Sequence, residues 1–222
     1  MTPRALVNAV LSSLFEPPCA ACAQVLSHPL NGAVCDRCWA DVRRGSPLHE
    51  HPRGRGVDWA CAVDHYEGRL RDIIHALKYE RRRSIAPPLG ALMRMSGAPL
   101  LLGADVSVPV PLHPRRERAR GFNQADDLAR QLGLPVVSLL QRVRDTASQI
   151  ELPAEDRQRN VRGAFHLARV PGPGSPIPAI VVLVDDVATT GATLDACACV
   201  LKAAGVREVR ALTAARVVTG RR

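Results

Sequence analysis

Residues 181–193 read Val-Val-Leu-Val-Asp-Asp-Val-Ala-Thr-Thr-Gly-Ala-Thr, and this stretch decides the fold. The first four residues are apolar and three of them are β-branched, which is typical of a strand buried on both faces of a parallel sheet. Two carboxylates end the predicted strand, a loop of threonine and glycine follows, and residues 194–204 predict a helix. Strand, loop and helix in this order indicate an α/β protein.

The loop between the predicted strand and helix has the composition of a phosphate site. A helix N-terminus presents unpaired N–H groups and a partial positive charge to an anion. The threonines add hydroxyl donors, and the glycine lets the backbone approach a ligand closely. The candidate phosphate-binding residues are Thr189, Thr190, Gly191, Ala192 and Thr193.

The two carboxylates at the strand end suit a ribose. Asp185 and Asp186 can bind ribose hydroxyls and can stabilise the positive charge that develops at C1 when its bond to oxygen breaks. An ordinary buried βα turn is the alternative, but the whole thirteen-residue pattern favours a phosphoribosyl ligand. The pattern closely resembles the 5-phosphoribosyl-1-pyrophosphate (PRPP) motif of type I phosphoribosyltransferases. Neither a Walker A loop nor G-x-G-x-x-G occurs in the sequence.

Composition narrows the classes of partner. The 222 residues suffice for one α/β domain and a small appendage, and 46% of them are apolar. The net charge of +9 suits pyrophosphate, a nucleotide, nucleic acid or a membrane surface. Aromatic residues make up only 3% of the chain, which argues against a stacking platform for single-stranded nucleic acid.

The chain contains no candidate membrane span, because no stretch approaches 18 uninterrupted apolar residues. Residues 1–15 predict a short amphipathic helix and not a signal peptide, since Arg4 is their only basic residue and three polar residues interrupt the apolar run. We therefore expect the protein in the cytoplasm.

Four cysteines near the N-terminus have the spacing of a metal site, Cys19-x2-Cys22-x12-Cys35-x2-Cys38. Two C-x-x-C pairs on separate turns can bring four thiolates to the corners of a tetrahedron, which is the geometry of structural Zn²⁺. Two disulfides would require an oxidising compartment, and a redox C-x-x-C normally occurs once, after a strand. The spacing favours structural zinc over both alternatives.

A run of arginines follows another predicted strand, 105–110. Because ligands of open α/β sheets bind at the carboxyl ends of the strands, this loop should lie beside the two carboxylates. Arginine presents paired donors that suit phosphate oxygens, so the loop is a candidate pyrophosphate holder, with a solvated basic turn as the alternative. Asn123 is expected to cap the helix that follows. The candidate residues of the run are Arg115, Arg116, Arg118 and Arg120.

Two further candidates lie elsewhere in the chain. The polar segment 141–161, between predicted strands 136–140 and 165–168, contains Arg157 and has the length of a lid over a substrate, although a solvated loop fits equally well. Lys78 lies at the end of a predicted amphipathic helix, where it contacts either a ligand or the helix dipole.

Together these motifs resemble the ComF family of bacterial competence-associated proteins over nearly the whole chain. The resemblance rests on the four-cysteine finger, Leu77-Lys78-Tyr79, Arg120-Gly121-Phe122-Asn123-Gln124 and the motif at 181–193. It implies a type I phosphoribosyltransferase fold, a mostly parallel sheet flanked by helices, and a small N-terminal zinc finger. The expected organisation is an N-terminal helix and finger at 1–45, a linker at 46–56 and the phosphoribosyltransferase-like domain at 57–222.

The resemblance also implies a role in DNA uptake during natural transformation. The first hypothesis is a phosphoribosyltransferase that uses PRPP with Mg²⁺, its acceptor not identified by the sequence. The alternative is a non-catalytic protein that binds single-stranded DNA or a partner helicase and keeps the phosphoribosyl site as a sensor or a relic.

Overall fold

A five-stranded sheet forms the centre of the molecule, and two further strands form a separate ladder. The computed structural model describes residues 7–8, 15–52, 56–145, 161, 163–168 and 177–217. The strands are β1 (Leu48–Glu50), β2 (Trp59–His65), β3 (Val106–Pro109), β4 (Leu140–Arg142), β5 (Phe165–Leu167), β6 (Ile180–Ala188) and β7 (Glu208–Arg216). The central sheet has the order β1-β2-β7-β6-β3, in which β2, β7, β6 and β3 run parallel and β1 pairs antiparallel with β2. Strands β4 and β5 form the separate antiparallel ladder.

Helices cover both faces of this sheet, which confirms the predicted mostly parallel sheet flanked by helices. They are α1 (Asp36–Arg43), α2 (Gly68–Tyr79), α3 (Ala86–Ser96), α4 (Ala98–Leu101), α5 (Pro114–Arg120), α6 (Gln124–Ala129) and α7 (Ala192–Ala203), with 3₁₀ turns at Pro29–Asn31 and Arg83–Ile85. None of the helices in the described ranges has the length and apolar content that crossing a membrane requires.

Strand β6 divides its side chains between two apolar cores, as alternation along a strand requires. Val182 and Val184 pack into the core that contains the apolar faces of α2 and α3. Val181 and Leu183 pack into the core formed with α7. Because all four side chains are fully buried, β6 is held from both sides and its polar end has a fixed position.

The cysteine finger is packed against α2. Its apolar side chains, including Leu26 and Trp39, belong to the same core as the apolar face of α2. Arg69 Nη1 of α2 donates to the carbonyl of Ala21 at 2.7 Å, which adds a polar contact between helix and finger. The finger therefore buries its apolar residues against the rest of the chain.

Three local predictions differ from the structure. The arginine run was predicted as a loop but forms α5, because Pro114 occupies its first turn, the His113 side chain accepts from Arg115 N, and Gly121 ends it in the left-handed conformation. The carboxylates do not end β6, which continues to Ala188 because β7 remains paired with it. The strand predicted at 136–140 begins instead at Leu140, in β4.

Other predicted segments are only partly described. Residues 46–56, expected as a linker, contribute the edge strand β1. Most of the helix predicted at 1–15 and most of the segment 141–161 lie outside the described residues. The cap at Asn123 is confirmed, since its side chain accepts from Ala125 N at 3.0 Å.

Candidate functional site

The carboxyl ends of β3 and β6 lie side by side at one edge of the sheet, and the segments that contain most of the predicted site residues follow them. The two strands are parallel neighbours, with Pro109 opposite Val184, and Val110 N donates to the carbonyl of Val184 at 2.9 Å. Helix α5 begins four residues beyond Val110, while Asp185 follows Val184 directly. Helix α5 and the carboxylates of β6 therefore lie at the same edge of the sheet, as predicted from the rule that ligands bind at the carboxyl ends of the strands.

A cleft at this edge joins most of the predicted site residues. Besides the two carboxylates it is bordered by a lysine, two arginines and two threonines of the predicted set. We name it the carboxylate cleft; its predicted members are Lys78, Arg116, Arg120, Asp185, Asp186, Thr189 and Thr193, and its additional polar members include Tyr79, Gln124 and Arg142.

Lys78 and Asp186 form a buried ion pair in this cleft. Lys78 Nζ lies 2.8 Å from Asp186 Oδ2, and the two side chains are only 10% and 3% exposed. Burial alone would lower the pKa of Lys78, but the attraction of Asp186 outweighs it and the pKa is raised. Lys78 thus forms an ion pair with one of the two acidic side chains of the site.

Asp185 occupies the opposite face of the strand and is partly exposed. Its Oδ1 accepts from Asp186 N at 2.9 Å. Burial, followed by the negative charge of Asp186, raises the pKa of Asp185 to about 8, although Lys78 acts in the opposite direction. A carboxyl group with such a pKa exchanges protons near neutral pH, as groups in functional sites often do.

The helical geometry of α5 places only two of the four arginines of the run at the cleft. Arg116 and Arg120, one turn apart, border the cleft, as i and i+4 residues share a helix face. The Arg115 side chain is 81% exposed and its Nη1 lies 3.9 Å from Asp145 Oδ2. Arg118 is also exposed. Arg157, the remaining lid candidate, lies outside the described residues.

Arg142 is a site residue that the sequence did not single out. It lies on β4 opposite Phe165 of β5, and its guanidinium carbon is 5.3 Å from the centre of that ring. Burial and the neighbouring Arg116 lower its pKa. The alternation of Leu140 and Arg142 on one face of a short strand was the available signal, but the predicted boundary between the strand 136–140 and the polar segment 141–161 fell between the two residues.

Residues 189–193, which we name the phosphate loop after their predicted role, separate two cavities. Gly191 adopts a left-handed φ of 79° as the N-cap of α7, and Thr190 Oγ1 accepts from Ala192 N at 3.4 Å. The first N–H groups of a helix have no acceptor within it, so this end of α7 can bind an anion. Thr189 and Thr193 border the carboxylate cleft, whereas Thr190, Gly191 and Ala192 border a larger cavity on the other side of the loop.

The four finger cysteines converge on one point. Their sulfur atoms lie within 4.8 Å of one another, with 3.9 Å between Cys19 and Cys38 and 3.8 Å between Cys22 and Cys35. All four cysteines are free in the structure, and these two separations are well beyond the S–S bond length of about 2.05 Å. A zinc ion with Zn–S distances of about 2.3 Å requires sulfur atoms about 3.8 Å apart, so the cluster has the dimensions of a metal site.

Comparison with known proteins identifies relatives over most of the chain. A model of the phosphoribosyl transferase domain matches residues 118–222. DNA utilization protein YhgH of Salmonella typhi is 36% identical over 195 residues, which cover 79% of this chain and 80% of that protein. Competence protein F of Haemophilus influenzae is 31% identical over 214 residues, covering 89% and 90%. Competence protein ComFC of Streptococcus pneumoniae is 32% identical over 109 residues, covering 49% and 47%.

Proposed function

Given that this chain belongs to the ComF family, we propose that it binds PRPP or another 5-phosphoribosyl ligand in the carboxylate cleft and acts in DNA uptake. The observation that carries the proposal is the convergence of two carboxylates, two threonines and several basic side chains on one cleft at the N-terminus of α7. The phosphoribosyl transferase domain match and the names of the relatives support it.

Each part of the cleft has a role in this proposal. The phosphate loop, residues 189–193, binds the 5-phosphate through α7 N–H groups and hydroxyl groups. Asp185 and Asp186 bind the ribose hydroxyls, and Arg116 and Arg120 bind the pyrophosphate. Lys78 Nζ lies 2.8 Å from Asp186 Oδ2 and holds that side chain in place, which makes Lys78 a positioning residue.

The proposed reaction is transfer of the phosphoribosyl group. An acceptor forms a bond to C1 while the C1–O bond to pyrophosphate breaks, and the bonding electrons leave with the pyrophosphate. The carboxylates stabilise the positive charge that develops on the ribose, so positioning and electrostatics suffice and no covalent nucleophile is needed.

Magnesium fits this site only together with the ligand. Among the described residues, no cluster of three or more metal-binding side chains occurs besides the four cysteines. Mg²⁺ keeps several waters and is commonly bound through substrate phosphates with one or two carboxylates. Asp185 is the available carboxylate, since Asp186 already pairs with Lys78.

A pyrophosphate-release assay tests the transferase. The protein is incubated with PRPP, Mg²⁺ and a panel of bases and amines, and we expect release that depends on one acceptor and disappears in the Asp185→Asn/Asp186→Asn variant. Release that is the same in this variant and in the wild type would contradict the proposal.

A second candidate function, binding of single-stranded DNA, is favoured by a basic groove beside the cleft. Its members are Lys78, Tyr79, Arg81, Arg116, Ala119 and Arg120. Tyr79 is 56% exposed, and the guanidinium carbon of Arg120 lies 5.6 Å from the centre of the Tyr79 ring. An exposed ring among arginines can stack a base while the cations contact phosphates.

Fluorescence anisotropy with a labelled oligonucleotide tests the second function. We expect binding that weakens steeply with salt and that Tyr79→Ala weakens by about tenfold, in line with about 1–3 kcal/mol per stacked base. Arg94→Ala, an exposed arginine of α3, is the control. Equal affinity in both variants would exclude the groove, and no binding at low salt would leave the phosphoribosyl ligand as the sole proposed partner.

We also propose that Cys19, Cys22, Cys35 and Cys38 hold a structural zinc ion. Support comes from the sulfur separations and from N–H groups directed at sulfur, such as Cys35 N, 3.3 Å from Cys19 Sγ. Elemental analysis of protein purified without added metal should give about one zinc per chain. Cys35→Ser should lose the metal and melt at a lower temperature, while Cys199→Ser, an exposed cysteine outside the cluster, should keep both. Full zinc content in Cys35→Ser would refute the assignment.

A further inference from the structure

Two neighbouring arginines that follow α2 contact different parts of the chain. Arg81 Nη2 donates to the carbonyl of Ala119, in the last turn of α5, at 2.7 Å. Arg82 Nη1 donates to the carbonyl of Pro18, beside the first cysteine of the finger, at 3.2 Å. The first contact therefore reaches the helix whose arginines border the carboxylate cleft, and the second reaches the finger.

The backbone of Arg81 is strained. Its φ is 56°, in the left-handed region, and it directly follows Glu80, the C-cap of α2. Glycine usually occupies this position, because the Cβ of any other L-residue comes too close to the following carbonyl oxygen. Glycine would therefore form the turn with less strain, and the presence of arginine indicates a role for its side chain.

Helix α5 needs a support of this kind. None of its residues is buried, and its caps at His113 and Gly121 define its ends without attaching it to an apolar core. The last carbonyl groups of a helix have no donor within it, and Arg81 supplies one to Ala119. A guanidinium donor makes this a charge-assisted hydrogen bond, which is stronger than one between neutral groups.

The support itself is anchored in the core of the molecule. Arg81 follows Lys78 by three residues, and Lys78 Nζ pairs with Asp186 Oδ2 at 2.8 Å. The α2 side chains of Ile73 and Leu77 are fully buried. Arg81 therefore connects a helix that the core holds in place with a helix that the core does not hold.

We propose that Arg81 is a positioning residue, which holds α5 so that Arg116 and Arg120 face the carboxylate cleft. The inference rests on the proposed function, in which these two arginines bind pyrophosphate. Ala119 lies one position before Arg120, so the bond to its carbonyl restrains the turn of α5 that the two arginines span. Arg81 also borders the basic groove, but it acts on the ligand through α5.

The variant Arg81→Gly should separate stability from ligand affinity. Glycine adopts the left-handed conformation readily, so we expect an unchanged or higher midpoint of urea denaturation. Without the bond to Ala119, calorimetry with PRPP and Mg²⁺ should give an affinity about three- to tenfold lower, the range that corresponds to one hydrogen bond of about 0.5–1.5 kcal/mol. Hydrogen exchange of the α5 amide groups, measured without ligand, should be faster by a similar factor.

Two further variants control for the lost charge. Arg82→Ala removes the same charge one position away and loses a contact with the finger, so its PRPP affinity and its α5 exchange should stay within about twofold of the wild type. Arg81→Lys keeps a charged donor, and it should lie closer to the wild type than Arg81→Gly does in both measurements.

Several results would overturn the proposal. Equal PRPP affinity in Arg81→Gly and the wild type would mean that α5 needs no support, and lower affinity with unchanged α5 exchange would mean that Arg81 contacts the ligand directly. A lower urea midpoint in Arg81→Gly would make the residue merely structural. Equal losses in Arg82→Ala, or no recovery in Arg81→Lys, would also contradict a positioning role. If the wild type does not bind PRPP, the proposed function fails, whereas α5 exchange still decides whether Arg81 holds the helix.

Discussion

Strand β6 with its phosphate loop and the arginine helix α5 face each other across one cleft, yet they hold their functional groups in opposite ways. On β6, Asp186 is buried and paired with Lys78 at 2.8 Å. On α5, no residue is buried, and Arg115 is 81% exposed. The first region is fixed by the two cores of the molecule, and the second by its own caps at His113 and Gly121.

This difference predicts which substitutions lower the stability of the fold and which lower only the affinity for a ligand. A charge removed from the buried edge leaves its partner in an apolar environment, where an unpaired charge is costly. A charge removed from α5 leaves a hydrated surface, where ion pairs contribute little to stability. Substitutions of the buried carboxylate edge should therefore change both stability and ligand binding, whereas substitutions of the exposed arginines of α5 should change ligand binding alone.

The largest expected effect is on folding, in Lys78→Met. This substitution leaves Asp186 buried without its cation and should lower the free energy of unfolding at neutral pH by about 3–5 kcal/mol. Urea denaturation measures it. Lys202→Met is the matched control, since Lys202 pairs with Asp58 at 2.7 Å but both are partly exposed, and we expect a loss below about 1 kcal/mol. Equal losses would mean that the buried pair has no special role.

An intermediate effect is expected on ligand affinity, in neighbouring arginines of α5. Arg116→Ala should weaken PRPP binding by about tenfold, because removing a charge-assisted hydrogen bond costs about 1.5–3 kcal/mol and solvent compensates in part. Arg115→Ala should change it less than about twofold, since that side chain is exposed and outside the cleft. Calorimetry measures the PRPP affinity of both variants. Equal losses of affinity would mean that Arg115 contacts the ligand as Arg116 does, which would contradict the division of the run by helix α5.

The smallest expected effect is the pH dependence of Asp185. Its pKa of about 8 lies above that of a carboxyl group in an unfolded chain, about 3.9, so the folded state holds the proton more tightly. The group therefore destabilises the fold progressively as pH rises from about 4 to about 8.

Asp185→Asn removes this titration. The free energy of unfolding of the variant minus that of the wild type should be larger at pH 9 than at pH 5. We expect this change to be on the order of 1 kcal/mol, because solvent reaches the partly exposed side chain. Urea denaturation at both pH values measures the difference, and an Arg115→Ala control should show none. A difference between variant and wild type that is the same at both pH values would contradict the raised pKa.

The sequence predicted the carboxylate edge well because its signals are local. A β-branched run, two aspartates, a threonine-glycine loop and a helix leave few arrangements. The rule that ligands bind at the carboxyl ends of the strands placed the arginine run at the same edge, where β3 and β6 are parallel neighbours. The cysteine spacing likewise implied a cluster, and the four sulfur atoms converge.

The conformation of the arginine run could not be predicted from the sequence in the same way. Whether it forms a loop or a helix depends on weak end signals at Pro114 and Gly121, and that choice decides which arginines enter the cleft. The pairing of Lys78 with Asp186 joins residues more than a hundred positions apart, and Arg142 reaches the cleft only through the β4–β5 ladder. Such contacts depend on tertiary packing, which no local pattern encodes.

The most direct test of the phosphoribosyl site is calorimetric titration of PRPP with Mg²⁺ into the wild type and the Asp185→Asn/Asp186→Asn variant. The substitutions conserve shape, but Asp186→Asn also leaves Lys78 buried without its anion, so the fold of the variant is checked alongside its affinity. We expect saturable binding to the wild type, an affinity at least about 100-fold lower in the variant, corresponding to about 2.7 kcal/mol, and a folded variant by circular dichroism. Equal affinity in the two proteins, or no binding to the wild type, would contradict a phosphoribosyl site at this edge.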